Sequence, residues 1–460
     1  MKKYLSMLLT VALVLGLFAG CAKKPAAPET TVPVTEVVVA TDPVPEETVK
    51  EEPPEEKLIA EMNAIISDPE HPLMAATIGV IKDGEIIFCE AVGDMNLNGD
   101  PATGDTKYRI ASISKLNTAI AVWQLIEQGL IDPDADASEY LGFELRNPNF
   151  PDTPITVRMI LSHTSSIREG NYSIPYGRHI SDYFTPGNVY YYKDCWAPAE
   201  EAPGEYFSYC NMNYCLIGTI IENVSGERFD QYMVNHIFEP MGLSCSFNVS
   251  EMSSEAQAQI GTLYRKFNAA GRYDPVNGKW TAQCDDFING YPNADYSDYE
   301  IGTNGSLFGP MGSLRVSTRE LCEIMLMFCN GGTYNGVQIL KPEIIEAMFT
   351  PVWTYDPELE NGDTYWGLMT CYGAGPHIFT NTDMGDRMII GQDLPFAGHT
   401  AEAYGLLGGM GFDRETGNGI IYIVAGTGCD PNDYYGEYSA FYGWEEALLT
   451  AGLTYADFDY

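Results

Sequence analysis

Short apolar runs bounded by turn residues occur near both ends of the chain. Near the start, Ala75–Val92 contains two such runs separated by the pair Asp83-Gly84. This pair predicts a β-hairpin, because both residues accept the positive φ of a tight turn. Near the end, Ala403–Phe412 and Gly419–Ala425 are apolar runs on either side of a turn-rich segment. We therefore expect strands from both ends of the chain.

Between these strands, apolar residues recur every three to four positions, which is typical of helices. The spacing predicts helices over Lys57–Ser67, Ile113–Leu130, Thr318–Cys329 and Tyr438–Leu449. Long segments rich in Gly, Pro, Asn and Tyr separate helical pieces from about Asp132 to Gly385. The pattern predicts an α/β (α+β) fold with one sheet formed from both chain ends, flanking helices and a mostly helical inserted region.

The first 21 residues have the proportions of an export signal. Lys2 and Lys3 precede the apolar run Leu5–Phe18, which is too short to cross a bilayer comfortably. The run closes on Phe18-Ala19-Gly20-Cys21, which resembles a bacterial lipobox. This predicts an exported, extracytoplasmic protein held on the membrane by acyl chains on Cys21. The alternative is an ordinary secreted protein with a chance cysteine.

Residues 22–56 are rich in Pro, Glu, Thr and Val, and have little to bury. We expect a disordered tether that holds a folded domain, residues 57–460, away from the membrane. The chain carries 25 basic and 64 acidic residues, a net charge of −39. Such a charge repels phosphate backbones and anionic headgroups, so we expect no nucleic-acid partner and no basic membrane patch.

Residues that bind metals are scattered through the sequence. The six histidines occur singly, and neither H-E-x-x-H nor C-x-x-C is present. We therefore predict no metal site and no cofactor. Of the 11 cysteines, ten remain beyond Cys21, and their irregular spacing favours at most a few disulfides.

Ser112 and Lys115 form an S-x-x-K pattern at the start of a predicted helix. Residues three apart share a helix face, so the amine lies beside the hydroxyl. A serine needs an adjacent base, and a lysine can be that base once its pKa falls from about 10.4 towards about 7–8. The pattern is common by chance, and the alternative is a solvated pair on a helix.

Two later groups add to this pattern. Tyr209 and Asn211 form Y-x-N before an apolar helical segment, which offers a phenol for proton transfer and an amide to orient lysine and substrate. Tyr291 and Asn293 have the same spacing, but the intervening proline and the loop context give no rigid support. We therefore assign the function to the first pair.

The third group is Gly398-His399-Thr400-Ala401. We predict that His399, Thr400, Ala401 and Glu402 bind substrate on an edge strand, with His399 as a donor or cation for a carboxylate. Backbone N–H groups near Glu402 and at Ser112 would face the carbonyl oxygen, each contributing about 2.7–4 kcal/mol in the transition state. The alternative for His399 is a purely structural role.

In this order, the motifs resemble those of the serine β-lactamase and penicillin-binding-protein superfamily. They are most similar to the class C β-lactamase-related group, which includes D-alanyl-D-alanine carboxypeptidases, D-aminopeptidases and esterases. Four segments carry the resemblance, Tyr108–Lys115, Leu161–Ser166, Pro203–Asn211 and Gly309–Thr318. Ser166 stands where the family's L-S-H-T-S-G has glycine. The similarity extends from about Lys57 to the C-terminus.

The resemblance implies a β-lactamase-like fold and a role for each motif. Ser112 would become the acyl-enzyme, while Lys115 and Tyr209 move its proton to the leaving group. Asn211 would position Lys115 and the substrate amide. His399 takes the place of the family's lysine or histidine.

The sequence also departs from the family pattern. Ala401 replaces a glycine, so its Cβ would crowd the strand where substrate docks. Glu402 would repel a substrate carboxylate. Cys210, inside Y-x-N, would be redox-sensitive if exposed. His163 is implied to be structural.

We therefore predict a serine hydrolase that acts through an acyl-enzyme on an amide or ester. A D-amino-acid-containing peptide, cleaved in the manner of a D-alanyl-D-alanine carboxypeptidase, is the first expectation for its small-molecule or peptide substrate. An esterase and a β-lactamase are alternatives within the same fold. A catalytically silent cell-wall-peptide binder is an alternative of another class, and only Ala401 and Glu402 favour it. An interaction module displayed on a stalk would explain the tether but not the motifs.

Overall fold

An antiparallel sheet organises the part of the protein that the computed structural model describes, residues 53–460. The strands are β1 (Ala75–Lys82), β2 (Glu85–Gly93), β3 (Lys107–Arg109), β4 (Leu263–Phe267), β5 (Lys279–Cys284), β6 (Arg315–Ser317), β7 (Thr333–Tyr334), β8 (Val337–Gln338), β9 (Trp353–Thr354), β10 (Cys371–Tyr372), β11 (His377–Ile378), β12 (Ala397–Ala403), β13 (Leu406–Asp413) and β14 (Asn418–Ala425). The main sheet has the order β2-β1-β14-β13-β12-β11-β10-β9, and the remaining strands form two-stranded ladders. Because β1 pairs with β14, both chain ends are needed to build it.

Helices cover both faces of this sheet. They are α1 (Pro54–Ile66), α2 (Ser114–Glu127), α3 (Ser138–Leu141), α4 (Val157–Leu161), α5 (Asn211–Ser225), α6 (Phe229–Met233), α7 (Glu239–Met241), α8 (Ser254–Ala258), α9 (Thr318–Cys329), α10 (Pro342–Phe349) and α11 (Gly443–Ala456). α1 and α11 pack together on one face, and α9 packs against β1 and β14 on the other. α2 and α5 also contact each other.

The two faces of β14 enter two different cores. Ile420 and Tyr422 lie in the core beneath α1 and α11, whereas Ile421 and Ile423 lie in the core with α2, α5 and α9. A strand covered on both faces needs apolar residues at every position. This explains why the sequence of β14 is a continuous apolar run.

Several sequence predictions are confirmed. The first hairpin turns at Asp83 (φ 52°) and Gly84 (φ 79°), as the Asp-Gly pair predicted. α9 has the predicted bounds and begins with a capping box between Ser317 and Glu320. The fold mixes helices with a sheet formed from both ends, as expected.

Two predictions differ from the structure. The strand predicted over 403–412 is wrong at its start, because Tyr404 (φ 58°) and Gly405 (φ 83°) form a turn between β12 and β13. The closing helix begins at Gly443 rather than Tyr438. The inserted region, predicted to be mostly helical, also contributes the short strands β9, β10 and β11 to the main sheet.

The signal peptide over 1–21, the lipobox Cys21 and nearly all of the tether over 22–56 lie outside the described residues. α1 begins at Pro54, so Pro54–Glu56 form its first turn rather than the end of a tether. Within residues 53–460, no helix is both long and apolar enough to cross a membrane.

Candidate active site

Ser112 lies in a short 3-10 turn between β3 and the start of α2. The preceding residue, Ala111, has a φ of 44°, a conformation that non-glycine residues adopt at a cost. Its side chain is buried, whereas Ser112 remains partly accessible and lines a cavity. The turn packs against β12, which brings the serine to the edge of the main sheet.

Lys115 lies one helical turn further on and is fully buried. Its Nζ donates to Ser112 Oγ at 2.9 Å, to Asn211 Oδ1 at 2.7 Å and to the carbonyl oxygen of Met311 at 2.8 Å. Burial lowers the pKa of Lys115 to about 7, although the carboxylate of Glu169 acts in the opposite direction. The amine is thus available in its neutral form near neutral pH.

Tyr209 lies on the other side of the lysine. Its ring centroid is 4.8 Å from Lys115 Nζ, and its buried hydroxyl makes no hydrogen bond of normal geometry within the described residues. Burial raises the pKa of Tyr209 well above 10.0, and the nearby Ser112 hydroxyl offsets part of this rise. The phenol therefore keeps its proton at neutral pH.

Asn211 is the first residue of α5, and an exposed carboxylate fixes its orientation. Glu169 accepts from the backbone N–H of Asn211 at 2.6 Å and from its Nδ2 at 3.0 Å. The amide oxygen is thereby turned towards Lys115. Sequence reasoning missed Glu169, since it lies 42 residues earlier in no recognisable motif.

His163 supports the Y-x-N segment from behind. It is buried, its Nδ1 accepts from the backbone N–H of Cys210 at 3.2 Å, and its ring lies 4.3 Å from that of Tyr209. This placement agrees with the structural role implied for His163. Cys210 is also fully buried, whereas the predicted redox sensitivity required it to be exposed.

His399 lies in β12 and is completely buried. Its Nδ1 is 2.6 Å from the carbonyl oxygen of Thr400, and its Nε2 is 2.8 Å from the Tyr372 hydroxyl. These contacts assign Nδ1 as the donor and Nε2 as the acceptor. Burial keeps the pKa of His399 well below 6.5. The imidazole is thus neutral and fully bonded, not the cation expected for a substrate carboxylate.

The edge of β12 beyond Gly398 is unpaired in the described structure, because β11 pairs only with Ala397 and Gly398. The Phe396 carbonyl accepts from the N–H of Phe379, so it faces this edge. Backbone groups of an antiparallel strand alternate in direction. The N–H of Glu402 therefore also points to the open edge, where Ser112 lies.

A cavity of about 270 Å³ opens at this edge. It is lined by Ser112, Tyr209, Asn211, Tyr365, Trp366, Leu368, Met369, Thr400, Ala401, Glu402, Leu407, Asn432, Tyr435, Ala440, Phe441, Tyr442 and Glu445. The structure thus brings together Ser112, Lys115, Tyr209 and Asn211 and sets Thr400, Ala401 and Glu402 opposite them. Of the predicted site residues described, Lys115 and His399 do not line the cavity themselves, because both are completely buried. The His399 ring lies 6.2 Å from the ring of Tyr209, which does line it.

Several residues on the cavity's outer side were not found from the sequence. Trp366 is 89% exposed, and both Tyr365 (φ 49°) and Trp366 (φ 60°) hold left-handed backbone conformations. Such conformations in bulky residues often occur at functional sites. Three more aromatic residues of the cavity lining were also not found from the sequence, namely Tyr435, Phe441 and Tyr442.

The remaining candidates lie elsewhere. Tyr291, from the rejected Y-x-N, is exposed in a separate loop. Within residues 53–460, no cluster of His, Cys, Asp or Glu could hold a metal ion, and all ten cysteines there are free.

A family model described as Beta-lactamase matches residues 57–440. The chain belongs to this family. Its curated relatives include a protein named flp from Staphylococcus aureus, 28% identical over 40% of this chain and 36% of the relative. Penicillin-binding protein 4 from Amycolatopsis lactamdurans is 28% identical over 42% of this chain and 50% of the relative. The chain thus spans about a third to a half of the length of these relatives.

Solved structures show the same fold. The D-amino acid amidase from Ochrobactrum anthropi, in complex with D-phenylalanine, superposes with a TM-score of 0.60 at 18% identity, covering 88% of this chain and 100% of that one. The octameric penicillin-binding protein homologue from Pyrococcus abyssi gives 0.59 at 24% identity, covering 82% and 74%. This family member therefore has the β-lactamase-like fold, and its relatives include hydrolases.

Proposed function

We propose that this β-lactamase-family protein is a serine hydrolase that forms an acyl-enzyme through Ser112 on an amide or ester of a D-amino acid. One observation carries the proposal: Lys115 Nζ, with a pKa lowered to about 7, lies 2.9 Å from Ser112 Oγ at the edge of a cavity. In its neutral form Lys115 has two N–H groups, which can donate to Asn211 Oδ1 and the Met311 carbonyl, and one lone pair left for the Ser112 hydroxyl. It can then act as the base that a serine nucleophile requires.

The proton path follows from the two pKa shifts. Ser112 Oγ attacks the carbonyl carbon as its proton passes to neutral Lys115. The oxygen of the tetrahedral intermediate accepts from the N–H groups of Ser112 and Glu402. Tyr209, which keeps its proton at neutral pH, protonates the leaving nitrogen or oxygen and recovers a proton from Lys115. Water then attacks the ester by the same path in reverse.

The D-amino-acid substrate class rests on fold relatives. The similar structures include D-amino acid amidases, one of them bound to D-phenylalanine. A D-alanyl-D-alanine carboxypeptidase-like reaction belongs to the same class of acyl transfer, and an esterase or a β-lactamase would use the same Ser112 chemistry. Because one fold serves many substrates, the site must select among them.

Covalent labelling tests the proposal. Purified protein is incubated with a fluorophosphonate and with a fluorescent penicillin, and the intact mass is measured. We expect one adduct, which Ser112→Ala abolishes and which Ser254→Ala, at an exposed serine of α8, retains. Hydrolysis of D- and L-amino acid amides, D-Ala-D-Ala peptides, short esters and nitrocefin then ranks the substrates. A folded protein that gives no adduct with any probe would support a silent binder instead.

We also propose that the protein is exported and anchored through acylated Cys21. The Phe18-Ala19-Gly20-Cys21 segment supports this. Cells fed an alkyne fatty acid should label the full chain and retain it in the membrane fraction. Cys21→Ser should abolish both signals, while Cys284→Ser, at a half-buried cysteine of the domain, should keep them. Labelling that survives Cys21→Ser would contradict the anchor.

A further inference from the structure

The charged side chains that line the active-site cavity are all acidic. Glu402 and Glu445 line it, and no Lys, Arg or His does. The nearest basic group of the catalytic machinery, Lys115, is buried behind Ser112. A substrate that enters the cavity therefore meets carboxyl groups without a cation to balance them.

Glu445 belongs to the scaffold. Its Oε1 accepts from the Tyr422 hydroxyl at 2.8 Å, and its Oε2 accepts from the Tyr442 N–H at 3.0 Å in the capping box of α11. Burial raises the pKa of Glu445 to about 8. It is thus mainly protonated at neutral pH and carries little charge into the cavity.

Glu402 is different because its side chain is exposed to solvent. Its Oε2 accepts one hydrogen bond, from the Tyr442 hydroxyl at 3.3 Å, and it forms no ion pair among the described residues. The pKa of Glu402 is raised, mainly by partial desolvation and to a smaller extent by Asp430. The Tyr442 hydroxyl and the more distant Arg265 offset part of this rise. The side chain is open to solvent, so its carboxyl oxygens have room for another donor.

The backbone of the same residue places this carboxylate near the reacting carbon. The Glu402 N–H faces the open edge of β12, where the substrate carbonyl oxygen would sit. A group on the atom next to that carbonyl is then within reach of the Glu402 side chain. Tyr442 and Trp366, which also line the cavity, add ring faces that attract cations and apolar groups.

We propose that Glu402 is the specificity-determining residue of this site and that it binds the protonated α-amino group of the substrate. The inference rests on the proposed hydrolase function and narrows it to amides or esters of amino acids with a free ammonium group and an apolar side chain. Substrates with a carboxylate in the cavity, among them penicillins and peptides with a C-terminal D-alanine, are disfavoured by the same charge.

Binding to an inactive protein tests this without relying on turnover. In the Ser112→Ala background, calorimetry compares D-phenylalaninamide with N-acetyl-D-phenylalaninamide, which lacks the charge. We expect the amine to bind about tenfold more tightly, as one charged hydrogen bond predicts. Glu402→Gln should remove this preference. Glu415→Gln, at an exposed carboxylate in the β13–β14 turn, should retain it.

The outcomes separate the two proposals. Equal affinity for the two ligands, no binding of either, or a preference that survives Glu402→Gln would overturn the role of Glu402. If wild-type Ser112 is nevertheless labelled by the fluorophosphonate, the hydrolase proposal stands. Absence of labelling in a folded sample would overturn the hydrolase proposal itself.

Discussion

The two walls of the active-site cavity differ in how closely they follow the family pattern. The catalytic wall, defined by Ser112, Lys115, Tyr209 and Asn211, keeps every motif residue and joins them around one buried amine. The β12 wall, defined by Thr400, Ala401 and Glu402, departs from the pattern at Ala401 and Glu402. This comparison is what supports the two proposals, one that Ser112 carries out acyl transfer and the other that the substrate is selected by Glu402.

The largest expected effect comes from the catalytic wall. Lys115→Arg keeps the positive charge but cannot release its proton at neutral pH. We expect acylation of Ser112 to fall by about 10²–10⁴-fold. The measurement is the rate of fluorophosphonate labelling, with thermal unfolding as the control for folding. Unchanged labelling would show that Lys115 is not the base, and the catalytic wall would then lose its assigned role.

The pH dependence of acylation is the next test. Because the pKa of Lys115 is about 7 in the folded protein, the rate with an uncharged ester should rise about tenfold per pH unit below 7 and level off above it. Between pH 7 and 10.5 the Lys115 amine is mainly neutral in the folded protein but protonated in the unfolded chain. The free energy of unfolding should therefore increase with pH across that window, because the cost of burying a charged amine is relieved. A flat acylation rate from about pH 5 to 9 would contradict this assignment.

Ala401→Gly tests the β12 wall. Restoring the family's glycine removes a methyl group that lines the cavity. We expect acylation by nitrocefin to increase about tenfold, the effect of one methyl group in a binding pocket. Gly should also cost about 0.5–1 kcal/mol of stability through backbone entropy. If acylation does not rise even in combination with Glu402→Gln, the β12 wall is not what limits β-lactam use.

The smallest effect is expected at Ser166, a departure that lies outside both walls. Ser166 has a φ of 62°, which favours glycine, and its Oγ accepts from Asn147 Nδ2 at 3.3 Å. Ser166→Gly relieves the backbone but loses this hydrogen bond, so stability should change by less than about 1 kcal/mol. Denaturant unfolding measures it. A changed acylation rate would show that this loop supports the catalytic wall.

Much of the fold follows from local patterns. The Asp83-Gly84 turn and the capping box of α9 both act within a few residues, and both were predictable. The β12–β13 turn was not, because Tyr404 is an unusual turn residue and the apolar strand β13 follows it directly. The strands β9, β10 and β11 have two residues each, which is too short to show a period of two.

The sequence alone singled out the groups to which we assign the chemistry. Ser112 and Lys115 are neighbours because three residues make almost one helical turn, a relation that needs no other part of the chain. Tertiary structure decided their properties. Burial sets the pKa of Lys115, and the Tyr372 hydroxyl, 27 residues earlier in the chain, bonds to one nitrogen of the buried His399 imidazole. The physical reason is that desolvation and long-range hydrogen bonds depend on which distant segments pack together, and spacing within one segment does not specify this.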